Sequence, residues 1–348
     1  MTIVHHGCVR LAQTAGRQGR KHKTAMLRLL KKRVYPIGVD LGSGHLRMAQ
    51  LGFDGDRIYL HAAMWAAIPQ GIRAGSPDWQ RWAVDTIRHM TREGGFKGRV
   101  TISALPSHAV FIDQVRIPKM PEKKIAQAAL NKVAKRLPFP ASEAAIKHVT
   151  VAHPSSNGEM DVLVMATAQR QIDYHLAIYE NAGLETEGIS VWPQALINSF
   201  VHFFSRRAED TDIVALLMDI GSNHTNVVIC RQEELYFARM IPLGFNQLVQ
   251  SQTIQQLVAE VDACCRYYDS VAGATRIGRL MFLAGLGIDK PICERVAQLA
   301  QRMQISAQMG DVLSAVERRS GLDELIDKRD NRVNWSTAFG LSLAGAQR

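Results

Sequence analysis

The chain has 348 residues, 47% of them hydrophobic, which is enough to bury one large core or two linked lobes. No stretch of 18 uninterrupted apolar residues occurs, which speaks against a membrane-spanning helix, and Cys8, Cys230, Cys264, Cys265 and Cys293 contain no CxxC pair, so neither a disulfide framework nor a thiolate zinc site is indicated. The net charge of +10 does not point to nucleic acid, because it is gathered at the start: Arg10, Arg17, Arg20, Lys21, Lys23, Arg28, Lys31, Lys32 and Arg33 stand in residues 1–33 without one acid, leaving 33 basic against 32 acidic residues elsewhere. That basic head has no long apolar run of the kind a secretory signal needs, and reads as a disordered tail or a weak contact to anionic lipid. A reducing, cytoplasmic setting fits the cysteine usage.

From Val34 the segment VYPIGVDLGSGHLRMAQLGFDGDRIYLHAAM alternates apolar runs with DLGSG and DGD turn signals, which predicts two or three antiparallel strands. A helix is expected over about 78–91, stopped by Gly94 and Gly95, followed by a buried strand in RVTISALP. VFIDQVRIP (110–118) predicts another strand, leading to a helix over about 121–136 with proline at its first turn and Pro138 and Pro140 closing it. AIKHVTVAH and MDVLVMATA read as strands on either side of the turn PSSNGE, and a helix over about 169–181 ends at Gly183, where a left-handed cap is needed.

The second half opens with a helix near 193–205, a polar link RRAEDTD and the buried strand IVALLMDIG. Here the pattern repeats. VDLGSGHLRMAQL (39–51) and MDIGSNHTNVVIC (218–230) place Asp, Gly, Ser and His at the same offsets, 179 positions apart, between apolar flanks. Two like strand-turn-strand units imply two lobes of like architecture, each presenting an Asp-x-Gly-Ser turn.

A tight turn of small residues exposes backbone N–H groups, and glycine lets them approach an anion with no Cβ in the way, so phosphate is the natural ligand. Asp40 and Asp219, at strand ends just before the turns, are candidates to hold magnesium through its waters. A single DxGS is an ordinary hairpin signal; two matched copies point to a clamp on a triphosphate. His45 and His224 are read as satisfying hydrogen bonds of the turns rather than as catalysts.

With these residues the chain resembles the actin, sugar-kinase and heat-shock chaperone superfamily, an α/β, ribonuclease H-like two-lobed fold. DLGSGHLR (40–47) resembles its first phosphate loop, which implies phosphate contacts from Asp40, Gly42, Ser43, Gly44 and Arg47, the last standing where lysine is more usual. DIGSNHTN (219–226) resembles the second loop, implying Asp219, Gly221, Ser222, Asn223 and the hydroxyl of Thr225. LAGLG (283–287) resembles the strand-turn under the adenosine, with Gly285 and Gly287, although Leu286 separates glycines that are usually adjacent. WPQALINSF (192–200) resembles the helix between the lobes, making Gln194 the candidate to orient an attacking water beside Asp219. The cofactors implied are ATP and Mg2+.

Within the superfamily the chain is similar to the PilM family of type IV pilus assembly proteins, from about Met26 to the C-terminus. PIGVDLGS, the alanine-rich helix into LPFP (137–140), MDVLVMATAQRQIDYHLAIYENAGLETEGI, FARMIPLG and STAFGLSLA carry this resemblance. It implies a basic extension (1–33), a first lobe (34–190) with an inserted subdomain at about 106–190, as also in the cell-division protein FtsA, and a second lobe (191–348) whose last helix returns to the first. Members of the family bind ATP and the N-terminal cytoplasmic tail of the inner-membrane protein PilN. The expected groove for that tail lies between the first lobe and the subdomain, bounded by 111–118 and the helix before Leu137, with Lys119, Lys123, Lys124, Lys132 and Lys135 near it. Self-association is a further possibility of this family. Because Met26 opens a segment like the usual family beginning, residues 1–25 are expected to be dispensable.

One departure affects mechanism. Only about forty residues separate Gly244 from LAGLG, where the family has a longer helical insertion, so the upper second lobe is expected to be reduced and one wall of the adenosine pocket with it. A nucleotide-free scaffold of the same fold is therefore a live alternative. A sugar-kinase-type phosphotransferase is the other, but it needs a carboxylate base that the sequence does not display. An FtsA-like filament former would end in an amphipathic membrane helix, which FGLSLAGAQR does not resemble.

Overall fold

The computed structural model describes residues 33–55, 57–151, 158–271, 274–283, 290–318 and 333–347. Residues 1–25 and Met26 lie outside them. β1 (Arg33–Val34), β2 (Ile37–Leu41), β3 (His45–Asp54) and β4 (Arg57–Ala67) form the expected meander, with β3 antiparallel to β1, β2 and β4. α1 (Pro77–Glu93) starts where Ser76 Oγ accepts the Trp79 N–H, and it buries Trp79, Ala83, Val84, Ile87 and Met90, the three-four spacing of one helix face. β5 (Val100–Ala104) then pairs parallel with β2.

β6 (Phe111–Pro118), α2 (Glu122–Val133), β7 (Ala144–Val151) and β8 (Glu159–Ala168) build a separate antiparallel sheet in the order β6-β8-β7. α2 covers one face of it through Ile125, Ala129 and Val133 against Val115, Ile117, Val162 and Val164. The subdomain was expected to run to about residue 190, but this sheet ends at Ala168. α3 (Gln169–Ala182) packs on α1, and β9 (Glu185–Ser190) pairs parallel with β5, so both rejoin the first sheet. The turn between them uses Gly183 at φ 81°, the left-handed cap read from the sequence.

α4 (Trp192–Phe204) leads into β10 (Val214–Ile220), β11 (Thr225–Arg231) and β12 (Glu234–Ile241), a second antiparallel meander. α5 (Ser251–Asp269) is the one helix described between β12 and β13 (Ile277–Leu283), in keeping with a reduced upper second lobe. α6 (Lys290–Met303) and β14 (Ser306–Gly310) follow, then α7 (Val312–Ala315), β15 (Glu317–Arg318), which pairs with β4, and α8 (Ser336–Leu343). The second sheet runs β12-β11-β10-β13-β14, three antiparallel strands and then two parallel ones, which is the pattern β4-β3-β2-β5-β9 of the first. The repeat seen in the sequence is thus a repeat of topology. Its register matches too, since Asp40 lies opposite Arg47 and Asp219 opposite Asn226.

α4 and α8 bind the sheets into one body. All eight residues of α8 are buried, and the helix packs on α4, β2 and β3. Contact is backbone to backbone: a Cβ on Gly340 would stand 1.8 Å from the Ala195 carbonyl oxygen, and one on Gly38 would stand 2.0 Å from that of Ala338. Asn198 Nδ2 donates to the Gly340 carbonyl at 3.0 Å, and Ser342 Oγ donates to that of Pro36 at 2.8 Å. Neither helix can retreat without breaking these bonds. Gly340→Ala is therefore expected to destabilise the protein by at least about 3 kcal/mol, the upper range for overpacking, despite alanine's better helix propensity. Urea unfolding of the variant against wild type measures it.

Candidate functional site

The two Asp-x-Gly-Ser turns face each other. In each, the first glycine N–H donates across the turn, Gly42 to the His45 carbonyl at 2.9 Å and Gly221 to that of His224 at 2.8 Å. The turns also touch. Ser43 Oγ lies 3.4 Å from His224 Nδ1, and Ser222 Oγ lies 3.3 Å from His45 Nδ1, a reciprocal pair of long hydrogen bonds between equivalent residues. A Cβ on Gly44 would meet Ser222 Oγ at 2.1 Å, so glycine is what lets the lobes come this close. Burial lowers the His224 pKa to about 4, which keeps its imidazole neutral and able to accept the serine proton.

Behind the turns lie the acids. Arg47 Nη1 donates to Asp40 Oδ2 at 2.7 Å from the facing strand position. Asp219 is buried and takes an amide hydrogen on each oxygen, from Asn226 Nδ2 on Oδ2 at 3.0 Å and from Asn334 Nδ2 on Oδ1 at 2.6 Å. Burial raises its pKa to about 6, opposed by the Asn226 hydrogen bond and by the charge of Arg47. Asn334 also donates to the Leu283 carbonyl at 3.0 Å and accepts from the Ser336 N–H at 2.9 Å, so it ties the start of α8 to the end of β13 and to Asp219.

Asp40, Gly42, Ser43, Gly44, Arg47, Asp219, Gly221 and Ser222, all singled out in the sequence, line one cavity. Three others point elsewhere. Thr225 is fully buried and its hydroxyl donates to the Leu243 carbonyl at 2.7 Å, Asn223 Oδ1 accepts from Asn246 Nδ2 at 2.9 Å, and Gln194 Nε2 donates to Asn198 Oδ1 at 3.1 Å along α4. Gly285 and Gly287 lie outside the described residues. The cavity is also lined by Trp192, Asn226, Asn334 and Thr337, which the sequence reading did not select. Asn226 was accessible to it, standing at the offset of Arg47 in the second repeat; Asn334 belongs to no motif and is brought in by the chain's return.

The enclosed space is about 40 Å3, room for a few waters or one small oxyanion. That space, among the described residues, is smaller than a whole nucleotide. Magnesium held here through its waters would share the acids with groups already bound to them, since one Asp40 oxygen carries a guanidinium and both Asp219 oxygens carry amides. Among the described residues no group of three or more His, Cys, Asp or Glu side chains is placed to hold a metal ion.

Two sheets of one topology, joined by buried helices and meeting at matched glycine turns, define an actin-like fold. Residues 38–259 match the family described as Type IV pilus assembly protein PilM, and the chain belongs to that family. The solved structure titled PilM-PilN type IV pilus biogenesis complex superposes with a TM-score of 0.71 at 20% identity, covering 91% of this chain and 100% of that one. The ethanolamine utilization protein EutJ from Carboxydothermus hydrogenoformans gives a TM-score of 0.47 at 12% identity, with 90% of each chain covered. The cytoplasmic domain of EpsL, from the type II secretion system of Vibrio cholerae, gives 0.45 at 10%, with 78% of this chain and 95% of that one covered. No curated protein sequence matches the chain.

The raised pKa of Asp219 has a consequence for stability. Between the unfolded value near 3.8 and the folded value of about 6, the folded state holds more protons than the unfolded one, so stability falls as pH rises through this window and is level above it. The contribution is about 3 kcal/mol. Comparing wild type with Asp219→Asn by urea unfolding at several pH values isolates it: the wild type loses stability relative to the variant from about pH 4 to about pH 6, and the difference is constant beyond.

Proposed function

We propose that this chain is the cytoplasmic assembly protein of a type IV pilus machine, holding the N-terminal tail of an inner-membrane PilN-like partner in a surface groove and a nucleotide between its lobes. The observation that carries this reading is a small apolar groove of about 30 Å3, the size of a side-chain pocket, where the inserted sheet meets the first lobe, lined by Leu105, Val110, Ile146, Met165, Ile172 and Ile189. β7, which borders it, is an edge strand, so an extended peptide can add main-chain hydrogen bonds there while its side chains enter the groove. Lys147 lies in the same groove, its pKa lowered by burial to about 8, and it suits a tail that brings a carboxylate. Among the described residues no helix is long and apolar enough to cross a membrane, and a tethered partner would supply the link to one.

The boundaries expected from the sequence, 111–118 and the helix before Leu137, mark a second candidate. β6 and Arg136 border another groove of about 580 Å3, which opens toward β12 and Tyr267 of the second lobe. Lys119, Lys123, Lys124, Lys132 and Lys135 are exposed, and α2, which carries Lys123, Lys124 and Lys132, covers the opposite face of the inserted sheet.

In the cleft, two glycine turns aimed at one cavity suit a phosphate chain, and ATP is the ligand the family resemblance implies. Turnover is expected to be slow or absent, since Gln194 is engaged within α4 and Asp219 is held by two amides. The touching turns favour a second reading, a nucleotide-free scaffold of the same fold. Thermal-shift titration decides between them: ATP raises the unfolding midpoint if it binds the folded cleft, and leaves it unchanged for the scaffold.

The partner reading is tested by titrating the N-terminal cytoplasmic tail of the PilN-like inner-membrane protein. Ile172→Glu, which sets a charge in the apolar groove, is expected to weaken binding at least tenfold, with about 1.4 kcal/mol per tenfold step, while Tyr267→Ala in the other groove leaves it unchanged. If Lys147 pairs with the tail, affinity falls as pH rises through about 8, and Lys147→Met removes that dependence. The reverse result for Ile172 and Tyr267 would place the tail between β6 and the second lobe.

A further inference from the structure

The duplicated turns are not equivalent in charge. Asp40 and Arg47 occupy facing positions of β2 and β3 with 2.7 Å between carboxylate and guanidinium, whereas the same positions of β10 and β11 hold Asp219 and Asn226. The site therefore has two carboxylates and one permanent cation. That cation acts on both, bonded to Asp40 and lowering the pKa of Asp219 across the cleft. A divalent ion shared by two carboxylates would do the same, and it would have to enter beside a guanidinium already bound there.

Two further observations concern what the site lacks. Arg47 Nε and Trp192 Nε1 are buried without a hydrogen-bond partner, and both residues line the cavity. Trp192 is only 2% exposed. These atoms can only donate, so what satisfies them is an acceptor, a water or a phosphoryl oxygen, and not a metal ion.

We infer that the cleft binds the phosphoryl chain of its ligand without a divalent metal, Arg47 supplying the counter-charge and Trp192 a fixed donor. This rests on the reading of the cleft as a phosphate site and concerns what that site requires. Arginine suits the role because its planar fork can hold Asp40 with one edge and offer Nε and the remaining N–H groups to phosphate.

The test uses the full chain with ATP and with inorganic tripolyphosphate as probes and adenosine as control, each in excess EDTA and in excess magnesium. Both phosphate probes are expected to raise the unfolding midpoint of wild type equally in the two conditions, and adenosine to leave it unchanged. A response to ATP alone would assign recognition to the nucleoside and overturn the role given to Arg47 and Trp192. Arg47→Gln is expected to lose roughly ten- to a hundredfold in affinity in EDTA, the range for a charge-assisted hydrogen bond, with part of the loss restored by magnesium. Arg47→Lys, which keeps the charge and loses the fork, is expected to fall between; if neither variant folds, the EDTA and magnesium arms of wild type decide alone. Stabilisation that vanishes in EDTA and returns with magnesium overturns the inference and leaves the nucleotide reading standing. No response to any phosphate probe in either condition overturns both.

Discussion

The arrangement depends on the close approach of α8 to α4 and to the first sheet. Gly340 in mid-helix costs about 1 kcal/mol against alanine in propensity, but its missing side chain lets the helix backbone rest on Ala195. Burial of Phe339, Leu341 and Leu343, at roughly 2 to 3 kcal/mol each, outweighs that cost. Because α8 is the last helix and packs on β2 and β3, while α4 precedes β10, the contact fixes where the second meander stands relative to the first. The glycine turns meet as a result of that packing.

The same return of the chain completes the site. A carboxylate as buried as Asp219 needs compensation, and it receives one amide from its own hairpin and one from Asn334, at the mouth of α8. Asp40 receives a guanidinium instead. Duplicated backbones have thus been given different solutions to one electrostatic problem, and the charge lies on the first lobe. Asn334 bonds to Asp219, to the end of β13 and to the start of α8, so parting the lobes about α8 would disturb the acid directly.

The inserted sheet divides the surface differently. One face is covered by α2, and the other meets both lobes, through Met165, Ile172 and Ile189 on one side and Phe237 and Tyr267 on the other. This small sheet has one edge strand, β7, beside an apolar groove and the other, β6, beside a groove lined in part by Asp113, Arg136 and Arg239. The cavity between the turns and the apolar groove beside β7 adjoin, since Leu105 lines both.

The sequence by itself determined the repeat and what repeats carry. The offsets of Asp, Gly, Ser and His in 39–51 and 218–230 set two meanders with matched turns, and period-two and three-four patterns placed β6, α1 and α3 within a few residues. These features are local, decided by hydrogen bonds and side-chain facing within one hairpin or helix. Tertiary structure decided the rest. Sheet membership turned on pairing partners far along the chain, so β9 joined β5 rather than the inserted sheet. Thr225 and Gln194 sit in or near motifs, but their hydrogen bonds go to Leu243 and Asn198, choices set by neighbours that no spacing reveals. Asn334 and Trp192 reach the cavity only because α8 and α4 cross there, and the reciprocal contact of Ser43 with His224 and Ser222 with His45 exists only because packing of those helices brings residues 181 and 177 positions apart into touch.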